Sequence, residues 1–222
     1  MVNLKGRLVL DGTCYTYDMF TLYVFIFLSL FFVTAFGIIA RKSLSTTRYE
    51  YAYTTLWQLS SGLIALLFIP FDTFSIHVTP SVLLNFVLSI CFYALADAFL
   101  FSGYKYEEAS VLSALLPVSY MFTFLVTVLF FKAHITLSIV VGFVLIMVAS
   151  FLAGFSTTQF RPSKGVVFGL LTAFFSGVAL GFNSEVVKSF SVAPYLFAAF
   201  VFPALVNFFV FLRPKISEIK YE

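Results

Sequence analysis

Apolar runs of about twenty residues succeed one another along this chain, and most of the connectors between them are only a few residues long. A helix rises 1.5 Å per residue, so such a run matches the roughly 30 Å hydrocarbon core of a bilayer. The chain therefore reads as an all-α polytopic membrane protein with about seven transmembrane helices, at about 19–40, 51–71, 80–104, 109–131, 135–155, 165–187 and 193–212. Charged residues make up 10% of the chain and hydrophobic ones 61%, with a mean hydropathy of +1.04. Soluble domains carry about 25% charged residues, so no sizeable soluble domain fits here. The net charge of +3 includes no run of five like charges, which excludes a nucleic-acid patch and leaves the lipid bilayer as the expected surroundings. Cys14 and Cys91 make no case for a disulfide, and His77 and His134 fall in connectors, so no metal or other cofactor is expected.

The third run, from Thr79 to Ala109, carries one acid well inside it, Asp97. Asn85, Ser89, Tyr93 and Asp97 recur every four residues and form one slowly drifting polar face ending near Lys105. An ionised Asp at the centre of a bilayer helix costs roughly 2.5–3.5 kcal/mol on insertion scales, so it faces the bundle interior, a partner or trapped water. Two readings follow. The stripe lines a path for a solute or proton, or it binds helices together by hydrogen bonds with Asp97 neutral or paired with Lys105.

Other spans add polar atoms. Gln58 in the second suits an interhelical hydrogen bond or a solute contact. In the fourth, Ser113 precedes Pro117, which lies too deep to be a cap and predicts a kink with a freed carbonyl. Glu107 and Glu108 precede that span, where a helix N-terminus favours negative charge. The sixth shows Gly165, Gly169, Ala173, Gly177 and Gly181 at unbroken fourfold spacing, a small-residue face for close helix packing. Its far end carries Asn183, and Glu185 spaced to pair with Lys188; Pro203 and Asn207 interrupt the seventh.

Residues 35–53 laid over 181–199 match Phe36 to Phe182, Lys42 to Lys188, Ser43 to Ser189, Ser45 to Ser191, Tyr49 to Tyr195 and Ala52 to Ala198. Spans 1–2 thus recur as spans 6–7. An odd number of spans separates the copies, so they cross the membrane in opposite directions, the inverted-repeat plan of many secondary transporters. With alternating spans, four Lys and Arg lie on the N-terminal side and nine on the other, which by the positive-inside rule favours a cytoplasmic C-terminus, but Arg41, Lys42 and Arg48 could equally line a cavity mouth, so orientation stays open.

The stretch Gly103-Tyr104-Lys105-Tyr106-Glu107-Glu108-Ala109-Ser110-Val111-Leu112-Ser113-Ala114-Leu115-Leu116-Pro117-Val118, followed by Ile135-Thr136 and Gly142 to Gly154, resembles the closing helices of an EamA repeat in the drug/metabolite transporter superfamily. The resemblance implies two inverted five-helix halves around a central cavity, and movement of small metabolites, amino acids, drugs or nucleotide sugars by alternating access without ATP. It divides the chain into a tail (1–18), a first five-helix repeat (19–155), a linker (156–164), the first two helices of a truncated second repeat (165–212) and a C-terminal tail (213–222). One departure is Ala133, where the family commonly has a glutamate before the fifth helix.

The leading expectation is a secondary transporter of a small solute in the cell membrane, with Asp97, Asn85, Ser89, Tyr93, Gln58, Ser113 and Pro117 as binding or proton-coupling candidates. The alternative is a noncatalytic subunit or half-transporter that needs a second copy, as in a homo-oligomer, or a partner packed on the glycine face. A seven-helix receptor rests on helix number alone. An enzyme is least expected, since no nucleophile and base pair or metal triad can be assembled.

Overall fold

The computed structural model describes residues 7–10, 13–16, 19–45, 50–72, 77–133, 136–155 and 163–212. Most of the expected linker and the whole C-terminal tail lie outside the described residues. The chain divides into two compact units, Met1–Ala40 and Arg41–Glu222.

In the first unit, the all-α expectation needs one correction. The stretch expected as a polar tail carries two short antiparallel strands, β1 (Arg7–Leu10) and β2 (Thr13–Thr16), with Leu10 opposite Thr13. The sequence between them is Asp11-Gly12, the dipeptide that favours a two-residue hairpin. Helix α1 (Met19–Leu44) begins here and runs 26 residues, past the expected end at residue 40; its last turn holds Arg41 and Lys42, cations suited to a helix C-terminus.

The second unit contains α2 (Glu50–Leu66), α3 (Pro80–Tyr106), α4 (Ala109–Leu115), α5 (Ser119–Phe131), α6 (Leu137–Phe155), α7 (Lys164–Val186) and α8 (Val192–Asn207). Among the described residues, four stretches are long and apolar enough to cross a membrane: Pro80–Tyr106, Ala109–Phe131, Lys164–Val186 and Val192–Phe211. These correspond to expected spans 3, 4, 6 and 7. Helix α2 is shorter than its expected span, because Pro70 cannot donate a backbone bond and the chain passes into a 3-10 turn at Ile69–Phe71. Its 17 residues reach about 26 Å, short of a full bilayer core.

Sequence explains the helix ends. Thr79 caps α3 by accepting from the Val82 N–H, with Pro80 at the first helical position. At the other end of α3, the Arg41 guanidinium donates to the Tyr104 and Lys105 carbonyls at 2.7 and 2.6 Å, satisfying acceptors that a helix C-terminus leaves unpaired. Ser163 caps α7 by accepting from the Val166 N–H, and its hydroxyl donates to the Glu107 carboxylate. Glu107 therefore sits at the start of α7, whereas Glu108 takes the cap position of α4 without a side-chain capping bond, its carboxylate accepting from Ser110 Oγ at 3.4 Å. Asp72 accepts from the Ala193 N–H at 2.7 Å and holds the start of α8. Pro117 does interrupt its span: a 3-10 turn at Leu116–Val118 separates α4 from α5.

Helix α7 packs by two different faces. Toward α3 it presents Phe168, Phe175 and Phe182, seven residues apart, against Tyr106, Phe99 and Phe92, also seven apart. Ring centroids lie 5.5–6.3 Å apart, and the pairs run in reverse order, so the two helices are antiparallel. A sevenfold repeat keeps one seam facing the partner along the helix, and each aromatic pair adds about 0.5–1.5 kcal/mol beyond its area. The small-residue face meets α4 and α5. A Cβ on Gly169 would come within 2.9 Å of Leu112 and Leu115, one on Gly181 within 2.5 Å of Val126, and one on Gly177 would collide with the Ser119 carbonyl oxygen and lie 2.6 Å from the Phe122 Cβ. Gly165 similarly lies against Glu107, and Ala173 is fully buried. Thr123 Oγ1 donates to the Gly177 carbonyl at 3.0 Å, a bond possible only at this close approach. Large apolar side chains such as Leu129 and Leu137 point outward, the arrangement a lipid surround requires.

Gly177→Ala should destabilise the chain by about 1–3 kcal/mol, the usual cost of overpacking. Gly142, with open space where a Cβ would go, is the control: Gly142→Ala should leave thermal unfolding in detergent unchanged or slightly higher. Equal melting of the two variants would contradict this packing.

Candidate functional site

Asp97 sits nine residues before the end of α3, roughly 14 Å inside it, and is partly buried. Its Oδ2 accepts from Gln58 Nε2 of α2 at 2.5 Å. Gln58 is almost fully buried, and its own Oε1 accepts from Asn207 Nδ2 of α8 at 3.0 Å. Three helices thus contribute to one directed chain, Asn207 to Gln58 to Asp97. The chain ends in an unpaired atom: Asn207 is fully buried, and its Oδ1 has no hydrogen-bond partner.

One turn before Asp97, Tyr93 interacts with it electrostatically and also reaches Asn183 of α7, as does Tyr195 of α8. Asn183 is buried, and its Oδ1 is likewise without a partner. The interior around Asp97 is therefore built from amides and phenols. Among the described residues the ion pairs lie elsewhere. Lys105 donates to Glu50 at 3.0 Å, so it does not serve Asp97, and Lys188 pairs with Glu185 at 2.7 Å.

The energies show what this arrangement leaves undone. A hydrogen bond to a charged group contributes about 1.5–3 kcal/mol. An ionised Asp in a bilayer helix costs roughly 2.5–3.5 kcal/mol on the mildest scale. At the middle of these ranges, one amide donor leaves part of that cost unmet.

Of the expected site residues, the structure brings together Asp97, Gln58 and Tyr93. Ser89 is buried, but its hydroxyl donates to the Phe86 carbonyl of its own helix at 2.9 Å. Asn85 is partly buried two turns further from Asp97 than Tyr93, Ser113 is exposed, and Pro117 shapes the backbone between α4 and α5. Asn207, Asn183 and Tyr195 were not among the expected site residues. A lone amide within an apolar span is the signal that marks both asparagines; nothing in the spacing marks Tyr195.

Residues 21–155 match the EamA-like transporter family. The chain belongs to that family. It is accordingly an integral membrane protein of a transporter kind. No curated protein and no solved structure matches it. The EamA match takes in Gln58, Tyr93 and Asp97, while Asn183, Tyr195 and Asn207 lie on the two helices beyond it.

Removing Gln58 also unpairs the Asn207 amide, but it should cost more where Asp97 keeps its charge than where it does not. In a double-mutant cycle of Gln58→Leu and Asp97→Asn, followed by thermal unfolding, the two changes should be non-additive by about 0.5–3 kcal/mol. Additivity would mean that the bond contributes nothing.

Proposed function

We propose that this EamA member is a secondary transporter that moves a small metabolite, amino acid or drug by alternating access, without ATP. Asp97 is the group that binds a proton or a cationic part of the solute; Gln58 and Tyr93 provide hydrogen bonds beside it. The observation that carries this reading is a carboxyl inside a candidate membrane span, held by one neutral amide, with the cation of its own helix, Lys105, engaged by Glu50. A purely structural role favours an acid fully neutralised by its neighbours, and Asp97 lacks that complement among the described residues. In this reading the helices α1, α2 and α6 complete the set of seven spans, and the copies at 35–53 and 181–199 cross the bilayer in opposite directions.

A screen of amino acids, nucleotides, sugars and cationic drugs against the detergent-purified chain tests the proposal. A ligand at 100 times its dissociation constant stabilises by about 2.7 kcal/mol, a visible shift in unfolding midpoint. The expected result is a stabilising compound whose effect is lost in Asp97→Asn, and whose coupled flux into proteoliposomes falls to background in the same variant. Full flux with Asn at this position would remove Asp97 from the mechanism. A folded chain that neither binds nor transports alone, but does so when a second copy is supplied, would favour the half-transporter.

A further inference from the structure

The observed chain has the direction that a charged Asp97, which can only accept, requires. Gln58 Nε2 donates to Asp97 Oδ2, and Asn207 Nδ2 donates to Gln58 Oε1. A carboxylate accepts such a bond. A protonated carboxyl instead needs an acceptor for its O–H, and at this oxygen the partner in place is the Gln58 side chain. An amide offers that acceptor by turning half a revolution about its last bond, which exchanges its oxygen and nitrogen. Gln58 would then point Nε2 at Asn207, whose side chain must turn in the same way to receive it. The Asn207 Oδ1, buried and unpartnered in the observed state, becomes the acceptor of that bond.

We infer that Gln58 and Asn207 form a hydrogen-bond relay whose direction is reversed by a proton on Asp97, with Asn207 as a positioning residue for that proton. The atoms balance. A proton from water joins Asp97 Oδ2; the bonds Nε2–H to Oδ2 and Nδ2–H to Oε1 break; the bonds Oδ2–H to Oε1 and Nε2–H to Oδ1 form. Two hydrogen bonds exist in each state. What changes is the free end on α8, an acceptor oxygen when Asp97 is charged and an N–H donor pair when it is neutral. The state of a carboxyl on α3 is thereby reported two side chains away on α8. The backbone there is suited to respond, since Asn207 is the last residue before a wide π-type turn at Phe208–Leu212, with Pro203 buried one turn earlier.

The groups facing Asp97 leave the relay as its main partner. From α3 itself Tyr93 faces it; α2 presents neutral Gln58; α7 and α8 bring Asn183 and Tyr195 against Tyr93. Helix α4 approaches α3 through Leu112 at Gly103. The charged Glu50 and Lys105 are engaged with each other at the helix ends.

The relay rests on the reading of Asp97 as the proton site, but its test needs no substrate and no flux. In the full chain with labelled Asp, Asn and Gln side chains, the Asp97 carboxyl carbon and the Asn207 amide nitrogen are followed by NMR across the pH range in which the protein stays folded. Asp97→Asn and Asn207→Leu identify the two signals by their loss. The expected result is that both shift with one midpoint, and that Gln58→Met, similar in size and without an amide, abolishes the Asn207 shift while Asp97 still titrates. Gln58→Leu replaces Gln58→Met should the latter not fold. An Asn207 signal that stays fixed while Asp97 titrates, or that still moves without Gln58, overturns the relay, as does an Asp97 carboxyl that never titrates. Loss of the relay with intact Asp97-dependent flux would leave the transporter reading standing; an intact relay in a chain that carries no solute would refute that reading alone.

Discussion

Helix α7 must fit closely against two neighbours at once, and it does so with two incompatible surfaces on one cylinder. The phenylalanines at sevenfold spacing are bulky and hold α3 at the distance of two stacked rings. The glycines and alanine at fourfold spacing have no bulk, so α4 and α5 approach until backbone meets side chain. Water does not drive helices together inside a bilayer, because lipid tails are as apolar as leucine; association there depends on packing and on interhelical bonds. Both periods are needed. Exchanging the two faces would push α5 away and let α3 collapse onto α7, and the polar residues that α3 carries would lose their position.

That position matters because α3 is the helix that bears Asp97. Its aromatic seam faces α7, while the acid meets α2 through Gln58, which in turn meets Asn207 of α8. The amide of Gln58 lies at the crossing of those two helices and is saturated on both sides, donating to Asp97 and accepting from Asn207. A neutral amide bridge of this kind is cheap to bury because its polar atoms are paired. Among the described residues, the buried side-chain atoms left unpaired, Asn183 Oδ1 and Asn207 Oδ1, are both acceptors. An interior rich in acceptors is incomplete without donors, and on the transporter reading proposed above those donors come with a proton or a solute.

Much of this was legible in the residues. Apolar length located the helices, since a bilayer allows few alternatives to a self-bonded backbone, and Pro117 marked the break between α4 and α5. Gly165 to Gly181 signalled close approach, but a periodicity cannot name the neighbour, and the stripe serves α4 and α5 within the chain. The fourfold polar face of α3 was only half informative. A stripe drifts around the helix, so Ser89 turns to its own backbone while Tyr93 and Asp97 face the amides. The sevenfold aromatic spacing of α3 and α7 was present but hidden, because phenylalanine is so frequent in this chain that no single recurrence stands out. Asp11-Gly12 is a hairpin signal set within the N-terminal tail.

The location of Asn207 shows where reading along the chain must fail. It is 149 residues from Gln58, on a helix with no charge, and nothing local pairs them. What could be deduced is an obligation: an amide buried in an apolar span needs a partner, and so does a lone carboxyl. Asp97, Gln58, Asn183 and Asn207 each carry that obligation, and a bundle in which α2, α3, α7 and α8 are neighbours is one way to meet most of it together. Among the described residues, the unmet remainder is two buried carbonyl oxygens and the charge of one acid. A structural network would gain stability by closing those gaps with one more serine or lysine. On the reading proposed above, leaving them open keeps stability in reserve for a proton or solute to supply, which is what a site that must both bind and release requires.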